Sequence, residues 1–344
     1  MKLRALTSLC LLGLMVGCGG DVPLPPAAPL ATPMATIEAL PGAVPGIYDV
    51  VVAQNLTLAE DNDHRAIALN LYYPAQGQNF PLLIFSHGNW SNKDSYDNII
   101  KHWVSHGYAV IAPDHLDCCS MAQGIFNSLR YGQLALITER VDDINRLLDN
   151  LDGLEQLHPA FADKADVSRL GITGHSFGAF SAQQFGGAGT FDPDTEEFLY
   201  FPDPAVKAIV AISPPGPMFD TITAGSWQRL STPNLVATGT WDIQPSFWPD
   251  WRMHLMSYDS APASDKYALV TQGADHFLGG LICRLELEET PQDDALTMLR
   301  VASTNFLNAY LKGDTAALAF INSATLTEVT AGFSVLTSQG EQPY

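Results

Sequence analysis

The chain has 344 residues, of which 47% are hydrophobic and 16% are charged, and this is enough apolar material for one large core. Its 37 acidic residues outnumber its 17 lysines and arginines, which gives a formal net charge of −20. Such a surface repels phosphate groups, so we exclude nucleic acids and anionic substrates as partners. We expect a monomer with one main domain and an extension at each end.

The first 17 residues have the pattern of an export signal. Lys2 and Arg4 precede an apolar run that is too short to stay in a membrane as a spanning helix. The run ends at Gly17 and Cys18, which resembles a bacterial lipobox; in such signals the cysteine becomes the lipidated first residue of the mature protein. We therefore predict a protein anchored through Cys18 to a bacterial membrane, facing the periplasm or the exterior. The alternative is an ordinary signal peptide and a secreted protein.

The remaining sequence divides into three parts. Residues 18–45 are rich in proline and alanine and poor in charge, so we predict that they form a semi-rigid tether. The main domain would span residues 46–312. Residues 313–344 have a weak pattern, and we expect them to be a C-terminal extension.

Apolar runs and helical stripes alternate along the main domain. We predict strands over residues 48–52, 66–73, 80–85, 108–112, 170–173, 206–212, 234–238 and 267–270. We predict helices over residues 96–105, 128–151 and 293–312, and a loop over residues 115–126. Unbroken apolar runs are typical of strands buried on both faces, and strand–helix–strand units of this spacing favour parallel neighbours. The fold class is therefore α/β, a mostly parallel twisted sheet with helices on both faces.

The segment around Ser176 predicts a strand, a sharp turn and a helix. An apolar run is followed by the letters GHSFG at residues 174–178, and then by small and apolar residues that suit a buried helix. At such a turn the serine is strained and its hydroxyl stands clear of the sheet, while the glycines let strand and helix pass closely. A glycine-rich turn without a catalytic role is the alternative.

Three residues at predicted strand ends could perform nucleophilic catalysis together. In open parallel sheets the loops at these ends form the site, and they carry Ser176, Asp242 and His276. A serine hydroxyl needs a base in contact, and an imidazole can take its proton and return it to the leaving group. The carboxylate would hold that imidazole in the required tautomer.

The developing oxyanion needs two fixed hydrogen-bond donors. We expect one to be the backbone N–H of Phe177, directly after the nucleophile. The other should come from the loop after residues 80–85, where we favour the N–H of Asn89, with Gly88 as the second choice.

Other residues of the same types are rival candidates. The rival acids are Asp220, Asp250 and Asp275, and the rival bases are His87, His115, His175 and His254. Possible metal ligands cluster after residues 108–112, namely Asp114, His115, Asp117, Cys118 and Cys119. We interpret this cluster as a loop beside the pocket and predict neither a metal nor a cofactor.

Serine, acid and histidine follow one another in the chain order of α/β-hydrolases, and residues 46–312 resemble that fold. The chain is similar to dienelactone-hydrolase-like esterases and to bacterial relatives of platelet-activating-factor acetylhydrolase. The similarity rests on Arg65 and on residues 85–89, 108–114, 174–178 and 306–311, which read FSHGN, YAVIAPD, GHSFG and FLNAYL. This resemblance implies a serine esterase whose catalytic domain is residues 46–312.

Two departures from these families matter. In the acetylhydrolases the acid follows the strand after the nucleophile, where this chain has Ser213 and Pro214. The acid must then be Asp242, as in dienelactone hydrolases and cutinases, so the acetylhydrolase substrate preference is not carried over. The nucleophile is a serine, whereas dienelactone hydrolase itself uses a cysteine.

Aromatic residues near the predicted site favour an apolar or aryl ester as substrate. The pocket candidates are Trp90, Trp241, Phe247 and Trp248. The function that we predict is cleavage of carboxylic esters, small or polymeric, through an acyl-enzyme on Ser176. A thioesterase, an acyltransferase or a peptidase could use the same residues. A non-catalytic surface lipoprotein that uses the fold as a binding module is an alternative of a different class.

Three cysteines belong to the main domain: Cys118, Cys119 and Cys283. Export implies an oxidising compartment, where Cys283 would be able to pair with one of the adjacent two. Their spacing matches no zinc pattern.

Overall fold

The computed structural model describes residues 29–217, 219–245 and 247–339. The predicted signal peptide and the predicted lipidation site, Cys18, lie outside these residues. Across the described ranges, no helix combines the length and the apolar character needed to cross a membrane.

The strands in chain order are β1 (Val50–Leu58), β2 (Ile67–Pro74), β3 (Phe80–Ser86), β4 (Ala109–Pro113), β5 (Ala165–His175), β6 (Gly189–Asp192), β7 (Glu197–Tyr200), β8 (Val206–Ile212), β9 (Asn234–Gly239), β10 (Lys266–Thr271) and β11 (Ser334–Ser338). The α-helices are α1 (Met34–Glu38), α2 (Asp97–Ser105), α3 (Met121–Tyr131), α4 (Gln133–Asp149), α5 (Leu151–Leu157), α6 (Phe177–Gln184), α7 (Met256–Asp259), α8 (Asp293–Lys312), α9 (Thr315–Ile321) and α10 (Thr325–Val329). Short 3₁₀ turns occur at Pro159–Phe161 and Trp251–Leu255.

One sheet contains nine of the described strands, in the order β1-β2-β4-β3-β5-β8-β9-β10-β11, and β6 pairs with β7 as a separate hairpin. The neighbours from β4 to β10 run parallel, and antiparallel pairs join β1, β2 and β11 at the two edges. Strands β3, β4, β9 and β10 are buried along their whole length, as expected of strands in the middle of a mostly parallel sheet. The predicted α/β class is confirmed.

Helices cover both faces of the sheet. On one face, α2 and α8 contribute Trp103 and Phe306 to a buried cluster. On the other face, α4 and α6 contribute Ile144 and Phe180 to a second cluster. The carboxyl ends of the central strands emerge between these two layers, where the predicted site residues lie.

The long helix predicted over residues 128–151 is wrong in its extent. Gly132 has a positive φ of 81° and separates α3 from α4, and α5 follows after Asn150. Helix α3 begins at Met121, inside the predicted loop, with the Ser120 side chain accepting the Gln123 N–H as an N-cap. An apolar stripe shows which face of a helix is buried, but it does not show where a glycine interrupts the backbone.

Both ends of the described chain pack against the main domain. Ile37 and Leu40 are buried in the same cluster as α2 and α8, so residues 29–45 do not act as a free tether. At the other end, β11 pairs with β10 and adds an edge strand to the sheet. The predicted C-terminal extension is therefore part of the folded domain as far as residue 339.

The disulfide joins the two adjacent cysteines, Cys118 and Cys119. Cys283 is a free, buried thiol whose pKa is raised by burial. The sequence left the pairing of these three cysteines open, and the structure does not pair Cys283 with either of the other two: Cys283 packs beside the hydroxyl group of Tyr96 and the Cα of Gly88.

Strand β5 and helix α6 pass so close to the end of β3 that two positions accept only glycine. A Cβ on Gly178 would lie 2.1 Å from the carbonyl oxygen of Ser86, and a Cβ on Gly174 would lie 2.4 Å from the carbonyl oxygen of Gly178. Both clashes are with backbone atoms, so a change of side-chain rotamer cannot relieve them. The close crossing fixes Ser176, which lies between the two glycines.

We predict that Gly178→Ala lowers the free energy of unfolding by at least about 2 kcal/mol, because the backbone around Ser86 must move. Denaturant unfolding measures the change. Gly153→Ala, in α5, is the matched control, since the nearest atom to its Cβ would be 3.9 Å away and alanine favours helices. Equal stability of the two variants would contradict the packing described here.

Candidate active site

Ser176 occupies the turn between β5 and α6. Its φ of 52° and ψ of −123° are a strained conformation for a residue with a side chain. The Ser176 N–H donates to the carbonyl of Ile212 on β8 at 2.8 Å, which holds the turn against the neighbouring strand. The residue is half-buried, so part of its surface remains reachable from solvent.

His276 and Asp242 follow β10 and β9 and are hydrogen-bonded to each other. Nδ1 of His276 donates to Oδ1 of Asp242 at 2.7 Å, and the Thr238 hydroxyl donates to Oδ2 at 2.9 Å. Burial alone would raise the pKa of Asp242, but the charges and hydrogen bonds of His254 and His276 hold it well below its usual value. Asp242 is therefore ionised, and it fixes the proton of His276 on Nδ1.

His276 also contacts the segment that carries Ser176. Nε2 of His175 donates to the backbone carbonyl of His276 at 2.9 Å, and the two rings lie 4.7 Å apart between centroids. Because His175 directly precedes Ser176, the imidazole of His276 lies beside the turn that carries Ser176.

Hydrogen bonding separates His276 from the rival histidines. Both ring nitrogens face polar partners inside the protein in His87, His115, His175 and His254. Within the described ranges, Nε2 of His276 has no such partner, so this nitrogen is available to accept a proton from a serine hydroxyl. Burial lowers the pKa well below its usual value in His87, His115 and His175.

Two of the rival acids cap turns. The Asp250 carboxylate accepts the N–H of Arg252 at the start of the 3₁₀ turn Trp251–Leu255. The Asp275 carboxylate accepts the N–H groups of Phe277 and Gly279. Neither carboxylate is directed at His276 by these bonds.

The predicted oxyanion donors have different environments. Phe177 is the first residue of α6, so its N–H has no intrahelical acceptor. The N–H groups of Phe177 and Asn89 bind no acceptor within the described residues. The second choice, Gly88, is not supported, because its N–H donates to the hydroxyl group of Tyr96 at 2.8 Å.

Serine, acid and histidine thus follow β5, β9 and β10, at the carboxyl ends of parallel strands and in that chain order. The chain has the α/β-hydrolase fold. A family model described as Chlorophyllase matches residues 45–188, a range that includes Ser176 and ends before Asp242 and His276. This similarity supports a hydrolase. No curated protein matches the chain.

Tyr96 links three loops of this domain. Its hydroxyl oxygen accepts the Gly88 N–H, and its own proton goes to Nδ1 of His175 at 3.1 Å. His175 then donates from Nε2 to the His276 carbonyl. Burial raises the pKa of Tyr96 well above its usual value, so it remains a donor. One line of hydrogen bonds therefore sets the relative positions of the loop at Gly88, the turn at Ser176 and the loop at His276.

Arg140, on α4, is hydrogen-bonded to the start of the loop that follows β3, which carries Gly88 and Asn89. Its guanidinium group is fully buried and donates to both oxygens of Asp117, at 3.0 and 2.7 Å. It also donates to the carbonyl of His87 at 2.6 Å, and it lies 4.8 Å from the centre of the Phe177 ring. Burial raises the pKa of Asp117, but Arg140 and the nearby histidines lower it to about 2, so the pair is ionic.

A second set of serine, histidine and aspartate lies beside Arg140. The Ser86 hydroxyl donates to Nε2 of His115 at 2.9 Å, and Nδ1 of His115 donates to Asp143 at 2.8 Å. Asp143 also forms an ion pair with Arg65. Ser86 and its two partners are buried, so this set supports the loop and has no access to a substrate.

Two of the predicted pocket residues lie next to His276. The Trp248 ring is tilted 35° to the His276 imidazole, with centroids 4.8 Å apart. Phe247 contacts Trp248 at 5.9 Å and is 39% exposed. These rings present an apolar surface beside His276.

The other two pocket candidates have different surroundings. Trp90 directly follows Asn89 in the loop after β3 and has a φ of 62°. Its side chain is half-buried against Gly124 of α3. Trp241 lines a groove of about 390 Å³ whose lining includes Pro29 and Thr290 but neither Ser176 nor His276. The assignment of Trp241 to the substrate pocket is therefore not supported.

The donor atoms of Asp242, His254 and His276 lie within 4.8 Å of one another, a spacing that a metal ion could use. However, one nitrogen of each histidine lies 2.7 or 2.9 Å from the same carboxylate oxygen. These are distances between atoms in direct polar contact, and ligands of one ion at about 2.0–2.2 Å would have to move apart to surround it. The arrangement fits a proton network better than a metal site.

The sequence analysis did not single out Arg140 or Tyr96, and it considered His254 only as a rival base. Arg140 had a usable signal, since it lies on the buried stripe of α4 between Leu136 and Ile144, where a charge needs a buried partner. Tyr96 and His254 had none, because their roles arise from contacts between loops far apart in the sequence.

We predict that Arg140→Met lowers the free energy of unfolding by about 3–5 kcal/mol, because it leaves the Asp117 charge buried without a partner. The double variant Arg140→Met, Asp117→Leu should recover much of this loss, since no charge then stays buried. Denaturant unfolding of the four proteins gives the coupling. A double variant whose loss equals the sum of the two single losses would show that the ion pair does not carry the effect.

Proposed function

We propose that this protein is a serine hydrolase that cleaves carboxylic esters through an acyl-enzyme on Ser176. The observation that carries the proposal is the state of His276. It is hydrogen-bonded through Nδ1 to a buried carboxylate, its Nε2 has no partner among the described residues, and it lies beside the nucleophile turn. The match to the chlorophyllase model, an ester-hydrolase-like family, supports an ester as substrate.

In the first half-reaction, Oγ of Ser176 attacks the acyl carbon while its proton passes to Nε2 of His276. The bond between Asp242 and Nδ1 leaves Nε2 deprotonated and ready for this step, and it stabilises the imidazolium ion that forms. The N–H groups of Phe177 and Asn89 would bind the carbonyl oxygen as it becomes negative. His276 then protonates the departing alcohol, which leaves the acyl group on Ser176.

In the second half-reaction, water replaces the alcohol. His276 takes a proton from the water, the hydroxide attacks the acyl carbon, and the proton returns to Oγ of Ser176 as the acid leaves. The same hydrogen bonds serve both halves, so none of the groups has to move between them.

We further propose that the ester is apolar or aromatic and that it can be part of a polymer. Trp248 and Phe247 present aromatic surface next to His276, and Phe247 is partly exposed. Such rings contribute apolar contact area without requiring a charged group on the substrate, in keeping with the acidic composition of the chain.

We predict that a fluorophosphonate probe labels the protein at Ser176 and that Ser176→Ala abolishes both labelling and ester hydrolysis. The reason is that the probe reacts only with a serine activated by a base. Ser86→Ala is the matched control and should keep its label, because Ser86 is buried. Equal labelling of wild type and Ser176→Ala, or no labelling of either, would favour a non-catalytic binding module.

We predict measurable hydrolysis of p-nitrophenyl esters of medium acyl length and of an aromatic polyester film, with Trp248→Ala raising KM about tenfold for the apolar esters and less for acetate. The loss corresponds to the aromatic contact area removed beside His276. Initial rates across acyl lengths and release of soluble product from the film measure the preference. Turnover of acetate alone would exclude the apolar-ester proposal and leave the serine-hydrolase assignment in place.

A further inference from the structure

The Asp242 carboxylate has a second histidine partner. Nε2 of His254, in the 3₁₀ turn before α7, lies 2.9 Å from Oδ1 of Asp242, the same oxygen that accepts the hydrogen bond from His276. The contact has the distance of an ion pair, although its N–H is not aligned as a hydrogen bond. His254 and Asp242 are both fully buried at their side chains.

The contacts of His254 require a proton on each ring nitrogen. Nδ1 is 2.8 Å from the carbonyl oxygen of Pro214, which can only accept, so Nδ1 carries a proton. Nε2 faces an ionised carboxylate oxygen, where a bare lone pair would be repelled. Burial would lower the pKa of His254, but the Asp242 charge and the two polar contacts raise it above its usual value.

Two aromatic rings pack close to His254. The His276 ring lies 5.7 Å away, and the Trp248 ring packs edge-on at 5.5 Å. His175 is a further titratable neighbour, and burial lowers its pKa well below the usual value, so it contributes no charge. Among the described residues, His254 and His276 are the two groups whose charges hold the pKa of Asp242 down.

We propose that His254 is a positioning residue of the catalytic reaction: a buried imidazolium ion that compensates the charge of Asp242 and thereby limits how strongly Asp242 attracts the His276 ring. The proposal rests on the roles proposed for Ser176, Asp242 and His276. It also assigns a use to the loop at Ser213 and Pro214, whose carbonyl group anchors His254.

The effect on catalysis follows from charge balance. An isolated Asp242 carboxylate would stabilise a proton on His276 strongly, and a protonated His276 cannot accept the serine proton. With His254 charged, that stabilisation is shared between two imidazoles. Removal of the His254 charge is therefore expected to move the acidic limb of the pH–rate profile to higher pH.

The test is the pH dependence of kcat/KM for a p-nitrophenyl ester in wild type and in His254→Gln. Glutamine keeps a donor but carries no charge, so we expect the acidic midpoint to rise by about one pH unit, with a much smaller change of rate on the alkaline plateau. At pH values below the wild-type midpoint, the variant should lose about tenfold more activity than it loses at pH 8. An unchanged or lowered midpoint would overturn the proposal.

Thr238→Val is the matched control, since it removes a neutral donor from the other oxygen of Asp242. It should move the midpoint much less than His254→Gln, and an equal shift would show that loss of any contact to Asp242 has the same effect. If His254→Gln does not fold, ¹⁵N spectra of the histidine rings in the wild-type protein decide the question. Protons on both nitrogens of His254 at pH 8 support the proposal, and a neutral ring overturns it.

These outcomes are distinct from failure of the proposed function. A protein that neither hydrolyses esters nor reacts with a fluorophosphonate would refute the serine-hydrolase assignment, whatever the state of His254. An active enzyme with a neutral His254 would refute only the inference about the second histidine.

Discussion

A buried carboxylate must be compensated, and the compensation of Asp242 determines how this site is built. A lone ionised carboxyl group without exposed surface would be costly, and it would take up a proton. Here two imidazoles and a hydroxyl group surround it, each from a different part of the chain: His276 after β10, His254 in the 3₁₀ turn Trp251–Leu255, and Thr238 at the end of β9. Satisfying one charge therefore brings together three segments of the domain, and one of them carries His276, the proposed base.

The need to compensate a buried charge also shapes the surroundings of the loop that follows β3. Arg140 and Asp117 are both fully buried, and their ion pair is oriented by further bonds from the guanidinium group to the backbone of His87 and the hydroxyl group of Ser86. The Arg140 guanidinium also packs over the ring of Phe177, whose N–H is one of the proposed oxyanion donors. Buried ionic groups are weak evidence for stability, but they do specify geometry, because each bond is lost when the loop shifts.

The sequence predicted those features that depend on local pattern. The strand at Val206–Ile212 and the helix at Asp293–Lys312 have the predicted bounds, because unbroken apolar runs and helical stripes report burial directly. The glycines around Ser176 predicted the turn for a steric reason that the distances now show. Site features that depend on distant contacts could not be read in this way. The hydrogen bond from the Gly88 N–H to the Tyr96 hydroxyl group leaves the N–H of Asn89 as the free donor of this loop. Nothing in the sequence around Gly88 and Asn89 shows which of the two N–H groups is already bonded.

Two sets of serine, histidine and aspartate in one domain show what residue types and hydrogen bonds leave undetermined. Ser86, His115 and Asp143 form the bonds expected of such a set, yet the serine is buried in a regular strand and its oxygen also accepts a bond from Arg140. Ser176 differs in its backbone, since a positive φ places it outside the strand, half-buried and ahead of the free N–H groups of a helix. Because nucleophilic attack needs space for an acyl group and donors for its oxygen, the strained turn at Ser176 distinguishes the two sets and is the one that meets the requirements of the proposed reaction.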